Sequence, residues 1–168
     1  IRKISFTGST AVGKQLAALA GIHMKRVTME LGGHAPVIVC EDADMERATQ
    51  AANFGSFMHQ GQICMSVEKV LVHEKIFDHF LKRFVERAKL LKVGDPTKNK
   101  EHIIGPLIND KQVAKVREQL EDAIAKGAKV VLGGKIDGRF VEPTILTGVT
   151  PDMKLYQDET FGPVVPVI

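Results

Sequence analysis

The chain has 168 residues, enough for one domain or for one domain and part of a second. Hydrophobic residues make up 44% and charged residues 26%, and no apolar run nears the roughly 20 residues of a membrane span, so a soluble globular chain is expected and a helical membrane protein is excluded. The net charge of +3 comes from interspersed acids and bases, without a basic block or interleaved aromatics, which argues against a nucleic-acid partner. Two cysteines without a paired motif point to reduced thiols and a cytoplasmic setting. Six histidines are scattered, none at ligand spacing, so no metal site is expected. The chain opens without Met or a signal-peptide pattern and ends within an apolar strand, which leads us to expect a piece of a longer protein.

In chain order, Lys3-Ile4-Ser5-Phe6 alternates and predicts a short strand, broken by Thr7-Gly8-Ser9-Thr10. Ala11 to Ala20 predicts a helix with Gly21 as its stop. Such a turn at a helix start either holds an anion such as a diphosphate or is an ordinary connection with a Ser or Thr cap. Arg26 to Leu31 and Pro36 to Cys40 predict two further strands around Gly32-Gly33. Glu30 is either a solvated strand end or a general base, a role that burial would favour by raising its pKa. Cys40 closes an apolar run and is expected to be a small buried hydrophobe.

Asp42 to Phe57 predicts a helix capped by Asp42 or Asp44, with Met45, Ala48, Ala52 and Phe57 on its apolar face. It leads into Phe57–Ser66, which holds Cys64. Gly61 allows a bend and a close approach there, so the thiol is reachable, as a nucleophile or as filler. His59 is read as a structural residue. Val67 to Val72 predicts a strand. Glu74 to Leu91 gives the strongest helix, with Ile76, Phe77, Phe80, Leu81, Phe84, Val85, Ala88 and Leu91 at three-to-four spacing. Asn109 caps a last long helix with the stripe Val113, Val116, Leu120 and Ile124, stopped by Gly127. Lys129 to Leu132, Phe140 to Leu146 and the tail are extended. The alternation implies an α/β fold: a layered, mostly parallel sheet with flanking helices.

Four segments in order, Phe6-Thr7-Gly8-Ser9-Thr10 with Gly13, Met29-Glu30-Leu31-Gly32-Gly33, Gly61-Gln62-Ile63-Cys64 and Glu159-Thr160-Phe161-Gly162-Pro163, resemble the aldehyde dehydrogenase superfamily over essentially the whole chain. The resemblance implies a partial aldehyde dehydrogenase fold, with residues 1–32 ending a dinucleotide-binding domain and residues 33–168 beginning the catalytic domain. It implies oxidation of a small aldehyde to a carboxylic acid with NAD or NADP. Cys64 would be the nucleophile, passing through a thiohemiacetal and a thioester, and Glu30 the base that activates water. The Cys64 N–H would join the oxyanion site. Gly8 and Ser9 would face the diphosphate, Leu31 and Gly32 would also meet the cofactor, Glu159 would contact the nicotinamide ribose, and Phe161 would lie at the nicotinamide end. The residues Lys25 to Pro36 look like members acting on semialdehydes, and those around Cys64 like members acting on aromatic aldehydes, which leaves the substrate open. Family members are longer, so the resemblance also implies that this piece alone is inactive or cofactor-poor. Exposed strand edges suggest a homo-oligomer.

Overall fold

The computed structural model describes residues Ile1–Ile168, which form two compact units, Ile1–Gly33 and His34–Ile168.

The first unit is a single strand–helix–strand crossover. Strand β1 (Lys3–Thr7) runs parallel to β2 (Arg26–Glu30), with Thr7 opposite Glu30. Helix α1 (Thr10–Ile22) joins them. Ser9 is its N-cap, its hydroxyl accepting from the Val12 N–H at 3.5 Å. The helix runs through the expected stop at Gly21 and ends at Ile22, and Met24 then takes a left-handed φ of 50° to reverse the chain. A Cβ at Gly21 would meet open space, so no close packing requires a glycine there. Gly13 is buried because a Cβ there would sit 2.5 Å from the Leu31 side chain.

The second unit holds strands β3 (Ala35–Val39), β4 (Val67–Val72), β5 (Lys129–Leu132), β6 (Ile136–Asp137), β7 (Phe140–Val141), β8 (Thr144–Thr147) and β9 (Val164–Val167). Its helices are α2 (Met45–Phe57), α3 (Phe77–Ala88), α4 (Asp110–Ala125) and the single turn α5 (Lys154–Gln157). Five strands form one sheet in the order β3-β4-β9-β8-β5, parallel except where β5 meets β8. Strands β6 and β7 make a separate antiparallel ribbon. The sheet is apolar on both faces, as a parallel sheet flanked by helices requires. Ile145, Val165 and Val167 join Phe57, Phe80 and Phe84 in one core, whereas their neighbours Leu146 and Val164 join Val116, Leu120 and Leu155 in another. Adjacent strand residues point to opposite faces, so α2 and α3 cover one side and α4 the other.

Asp44, not Asp42, caps α2, accepting from the Arg47 N–H at 3.0 Å. Asn109 caps α4 through the Gln112 N–H at 2.9 Å. The long helix expected from Glu74 begins as a 3-10 turn, and α3 proper starts at Phe77. The stretch Phe140 to Leu146 is split into β7 and β8 around Pro143, which has no N–H to offer a ladder. Two burial expectations are corrected. Cys40 is exposed, because it lies just past the end of an edge strand. Ile124 is 48% exposed, and the buried side of α4 runs instead through Val113, Val116, Gln119, Leu120 and Ala123.

Candidate active site

The sequence carrying Cys64 leaves α2 through a strained reversal. His59, Gln60 and Gly61 have φ of 49°, 58° and 69°, three consecutive left-handed residues. Such a conformation suits glycine and costs other residues, so surrounding structure must hold it. At Gly61 that structure is visible: a Cβ would lie 2.3 Å from the Gly162 carbonyl oxygen. The reversal therefore rests on the backbone of the Glu159–Pro163 segment. A Cβ at Gly162 would in turn meet Val116 of α4 at 2.6 Å. The two glycines let the thiol segment lie backbone to backbone on the Glu159–Pro163 segment, with the Val116 side chain of α4 against its other side.

Beyond Gly61, the Ser66 N–H donates to the Ile63 carbonyl at 2.9 Å and closes a β-turn whose central residues are Cys64 and Met65. The central amides of such a turn stand outside its hydrogen bond. Cys64 and Met65 are both exposed, so the thiol can be approached from solvent. Gln62 accepts from the Ile108 N–H at 3.0 Å and fastens the turn to the loop before α4.

The segment Asp158–Phe161 is held by three side chains that sequence reasoning passed over. The Thr160 and Phe161 N–H groups donate to the two carboxylate oxygens of Glu68 at 2.7 and 2.8 Å. Gln112 Nε2 donates to the Thr160 and Phe161 carbonyls at 2.8 and 2.9 Å. Gln119 Nε2 donates to the Asp158 and Glu159 carbonyls at 3.3 and 3.2 Å. Phe161 takes a left-handed φ of 52°, a second strained backbone near the thiol segment. The available signal for Glu68 was its phase. It shares the buried side of β4 with Val70, a place where strand alternation expects an apolar residue.

Glu68 is 3% exposed. Burial pushes its carboxyl up to about 7, the two N–H donors pull against that rise, and the Glu159 charge adds to it. His34 Nε2 lies 3.7 Å from Glu68. Burial, then the Lys69 charge, hold this imidazole below its usual value, so the pair is not a salt bridge at neutral pH.

In the first unit, Gly8 and Ser9 form the exposed turn between β1 and α1, and the Gly8 N–H donates to the Glu30 carbonyl at 3.0 Å. The glycine turn and the end of β2 are thus brought together. The Glu30 side chain is exposed at the end of β2. Leu31 and Gly32 are half-buried, and Leu31 packs on Gly13. In the second unit, Cys64 and the Glu159–Phe161 segment are joined through the Gly61–Gly162 contact. A groove of about 850 Å³ on α2 and α3, lined by Phe54, Phe57, Met58 and Ile104 among others, does not include Cys64.

No group of three or more His, Cys, Asp or Glu residues could hold a metal ion. No helix is long and apolar enough to cross a membrane.

Salicylaldehyde dehydrogenase of Pseudomonas putida is 50% identical over 168 residues, covering all of this chain and 35% of that protein. Benzaldehyde dehydrogenase of Bacillus subtilis is 51% identical over 164 residues, 98% of this chain and 34% of that protein. The crystal structure of a salicylaldehyde dehydrogenase from Pseudomonas putida G7 complexed with salicylaldehyde superposes with a TM-score of 0.96 at 50% identity, over all of this chain and 35% of that one. The chain thus spans about a third of the length of the relatives it matches. The model of the aldehyde dehydrogenase family matches residues 1–168, and with the four motifs standing on a matching fold, the chain belongs to that family.

Proposed function

We propose that this chain supplies the nucleophile and the general base of an NAD(P)-dependent aldehyde dehydrogenase acting on an aromatic aldehyde. The observation that carries this reading is the exposed Cys64 thiol at the centre of a β-turn whose stem is packed on the Glu159–Pro163 backbone. On this reading residues 1–32 belong to a dinucleotide-binding domain and residues 33–168 to a catalytic domain, in a cytoplasmic enzyme.

Cys64, which is exposed, gives up its proton to solvent water, its sulfur bonds to the carbonyl carbon, and the oxygen becomes the alkoxide of a thiohemiacetal. The Cys64 N–H, outside the hydrogen bond of its turn, is a donor for that oxygen. The cofactor, when bound, supplies the acceptor for the hydride leaving this carbon, so that Cys64 carries a thioester. Glu30 then takes a proton from water, the water oxygen attacks the thioester carbon, the C–S bond breaks, and the carboxylic acid leaves with the thiolate restored.

The residues of the first unit fit a dinucleotide. The turn Thr7–Thr10 is exposed, α1 is 13 residues long, and its first turn has no acidic residue to oppose a diphosphate. Gly8 and Ser9 would face that diphosphate, Leu31 and Gly32 would line the cofactor, and Glu159 and Phe161 would meet its nicotinamide ribose and ring. The aromatic substrate class rests on the two dehydrogenases that are half identical to the chain, and on Met65, whose exposed thioether beside Cys64 suits an aromatic ring. Homo-oligomerisation through the outer edges of β1 and β2 belongs to the same reading. Light scattering of this chain giving a strict monomer would remove it.

The test is the protein of the full open reading frame, given NAD+ or NADP+ with a panel of aromatic aldehydes and semialdehydes. Reduced nicotinamide should appear with aromatic aldehydes. Cys64→Ala should abolish it. Glu30→Gln should leave an initial burst and slow steady turnover by about 10²–10⁴-fold. No reduced nicotinamide from any aldehyde sinks the reading.

A further inference from the structure

We propose that Glu68 is a positioning residue for the cofactor: its buried carboxylate fixes the Glu159–Phe161 backbone by accepting both the Thr160 and Phe161 N–H groups. This rests on the reading that gives Glu159 and Phe161 to the nicotinamide end.

Only a carboxylate offers two acceptor oxygens, in one plane, to two neighbouring N–H groups. Glutamine would turn one NH2 towards an N–H. Aspartate would fall one methylene short. A buried acid without a salt-bridging cation is a poor way to stabilise a strand, so the packing of β4 does not account for it. Lys69, next in sequence, has its ammonium 4.0 Å from the centre of the Tyr156 ring. His34 is neutral at 3.7 Å. Lys115 favours the charged carboxylate and Glu159 opposes it, both weakly beside burial. What Glu68 does have is the loop. With Gln112 and Gln119 holding the carbonyls of residues 158–161, side chains of β4 and α4 take four carbonyls and two N–H groups of this backbone. Such holding matters most at Phe161, whose left-handed φ of 52° a free loop would relax.

The clamp also titrates. With the Glu68 carboxyl pushed up to about 7, protonation near neutrality turns one acceptor oxygen into a donor facing an N–H. While Glu68 stays buried, the loop should then lose one of its two N–H bonds and loosen locally as pH falls, although burial itself favours the protonated carboxyl for folding.

Two measurements test this. In this chain, the Thr160 and Phe161 amide resonances should titrate together with a midpoint near 7 and should lose that titration in Glu68→Gln. In the full-length enzyme, KM for NAD(P)+ should rise as pH falls through that midpoint. Glu68→Gln should raise KM at high pH by about tenfold, with kcat changed much less, and flatten the profile. If Glu68→Gln does not fold, the wild-type amide titration and the wild-type KM profile still decide. Amides that ignore pH overturn the clamp. A titrating clamp with a flat wild-type KM profile overturns its role towards the cofactor. An enzyme that oxidises no aldehyde defeats the functional reading, and the amide titration then stands as the separate test of the clamp.

Discussion

The two units solve the same packing problem with unequal means. In Ile1–Gly33 one helix lies on two strands, and the only buried side of α1 is Gly13 and Ala20. In His34–Ile168 a five-stranded sheet is covered on both faces, by Phe57, Phe80 and Phe84 on one side and by Val116, Leu120 and Met153 on the other. Apolar burial is the main favourable contribution to folding, so the second unit can stand by its own core and the first cannot. A crossover of two parallel strands is a fragment of a sheet, and Val27, Leu19 and Ile22 remain exposed on it. The thiol is mounted on the well-packed unit, and the candidate base and diphosphate turn on the sparse one.

The largest effect that would sharpen this contrast is in the aromatic core. Phe84 is fully buried, with ring centres 6.0 Å from Phe57 and 5.6 Å from Phe80. Phe84→Ala should cost about 3–5 kcal/mol in denaturant unfolding monitored on the second unit. A loss below 1 kcal/mol would mean that the cluster is not the core it resembles.

Next comes Glu68. Its folded pKa lies above the usual 4.5, so between pH 4.5 and about 7 the unfolded chain releases a proton that the folded chain keeps. Stability from this group therefore falls as pH rises, and is lost above 7. His34 works the other way below its usual value, because the folded state resists its protonation. The difference between wild type and Glu68→Gln isolates the carboxyl. That difference should shift against wild type by on the order of 3 kcal/mol across this range. A pH-independent difference would show that the carboxyl is not buried in solution.

The smallest effect lies in the first unit. Ser9→Ala removes the cap on Val12 and should weaken α1 by about 1 kcal/mol. Amide exchange should speed up in α1 and stay unchanged in α3 and α4. Exchange rising equally in both units would break the comparison, since it would mean that they unfold as one.

Much of this was legible in the sequence because it is local. The aromatic spacing of Phe77 to Ala88 gave α3, Asn109 gave the start of α4, and the β–turn–α pattern gave β1 and α1 with Ser9 as a possible cap. Gly61 marks a place of close approach in the sequence, although not what approaches it. What escaped depends on partners far along the chain. Glu68 meets residues more than ninety positions away, and nothing near it says that the apolar phase of β4 carries an acid for that purpose. Gln112 and Gln119 look like solvent-facing helix residues until α4 is laid against the loop they hold. Cys40 is exposed despite the apolar run it closes, because strand order, not local hydrophobicity, decides which strand lies at an edge.

The approach of Gly61 to Gly162 carries a lesson for anyone altering this protein. Two loops a hundred residues apart are geared together at a point where neither can accept even a methyl group. Lengthening or retuning the thiol loop would therefore shift the facing loop as well, and a library that varies one while freezing the other would mostly sample jammed combinations. Recombination should move both segments as a matched pair, with α4 alongside, because Val116 closes the other side of the same stack.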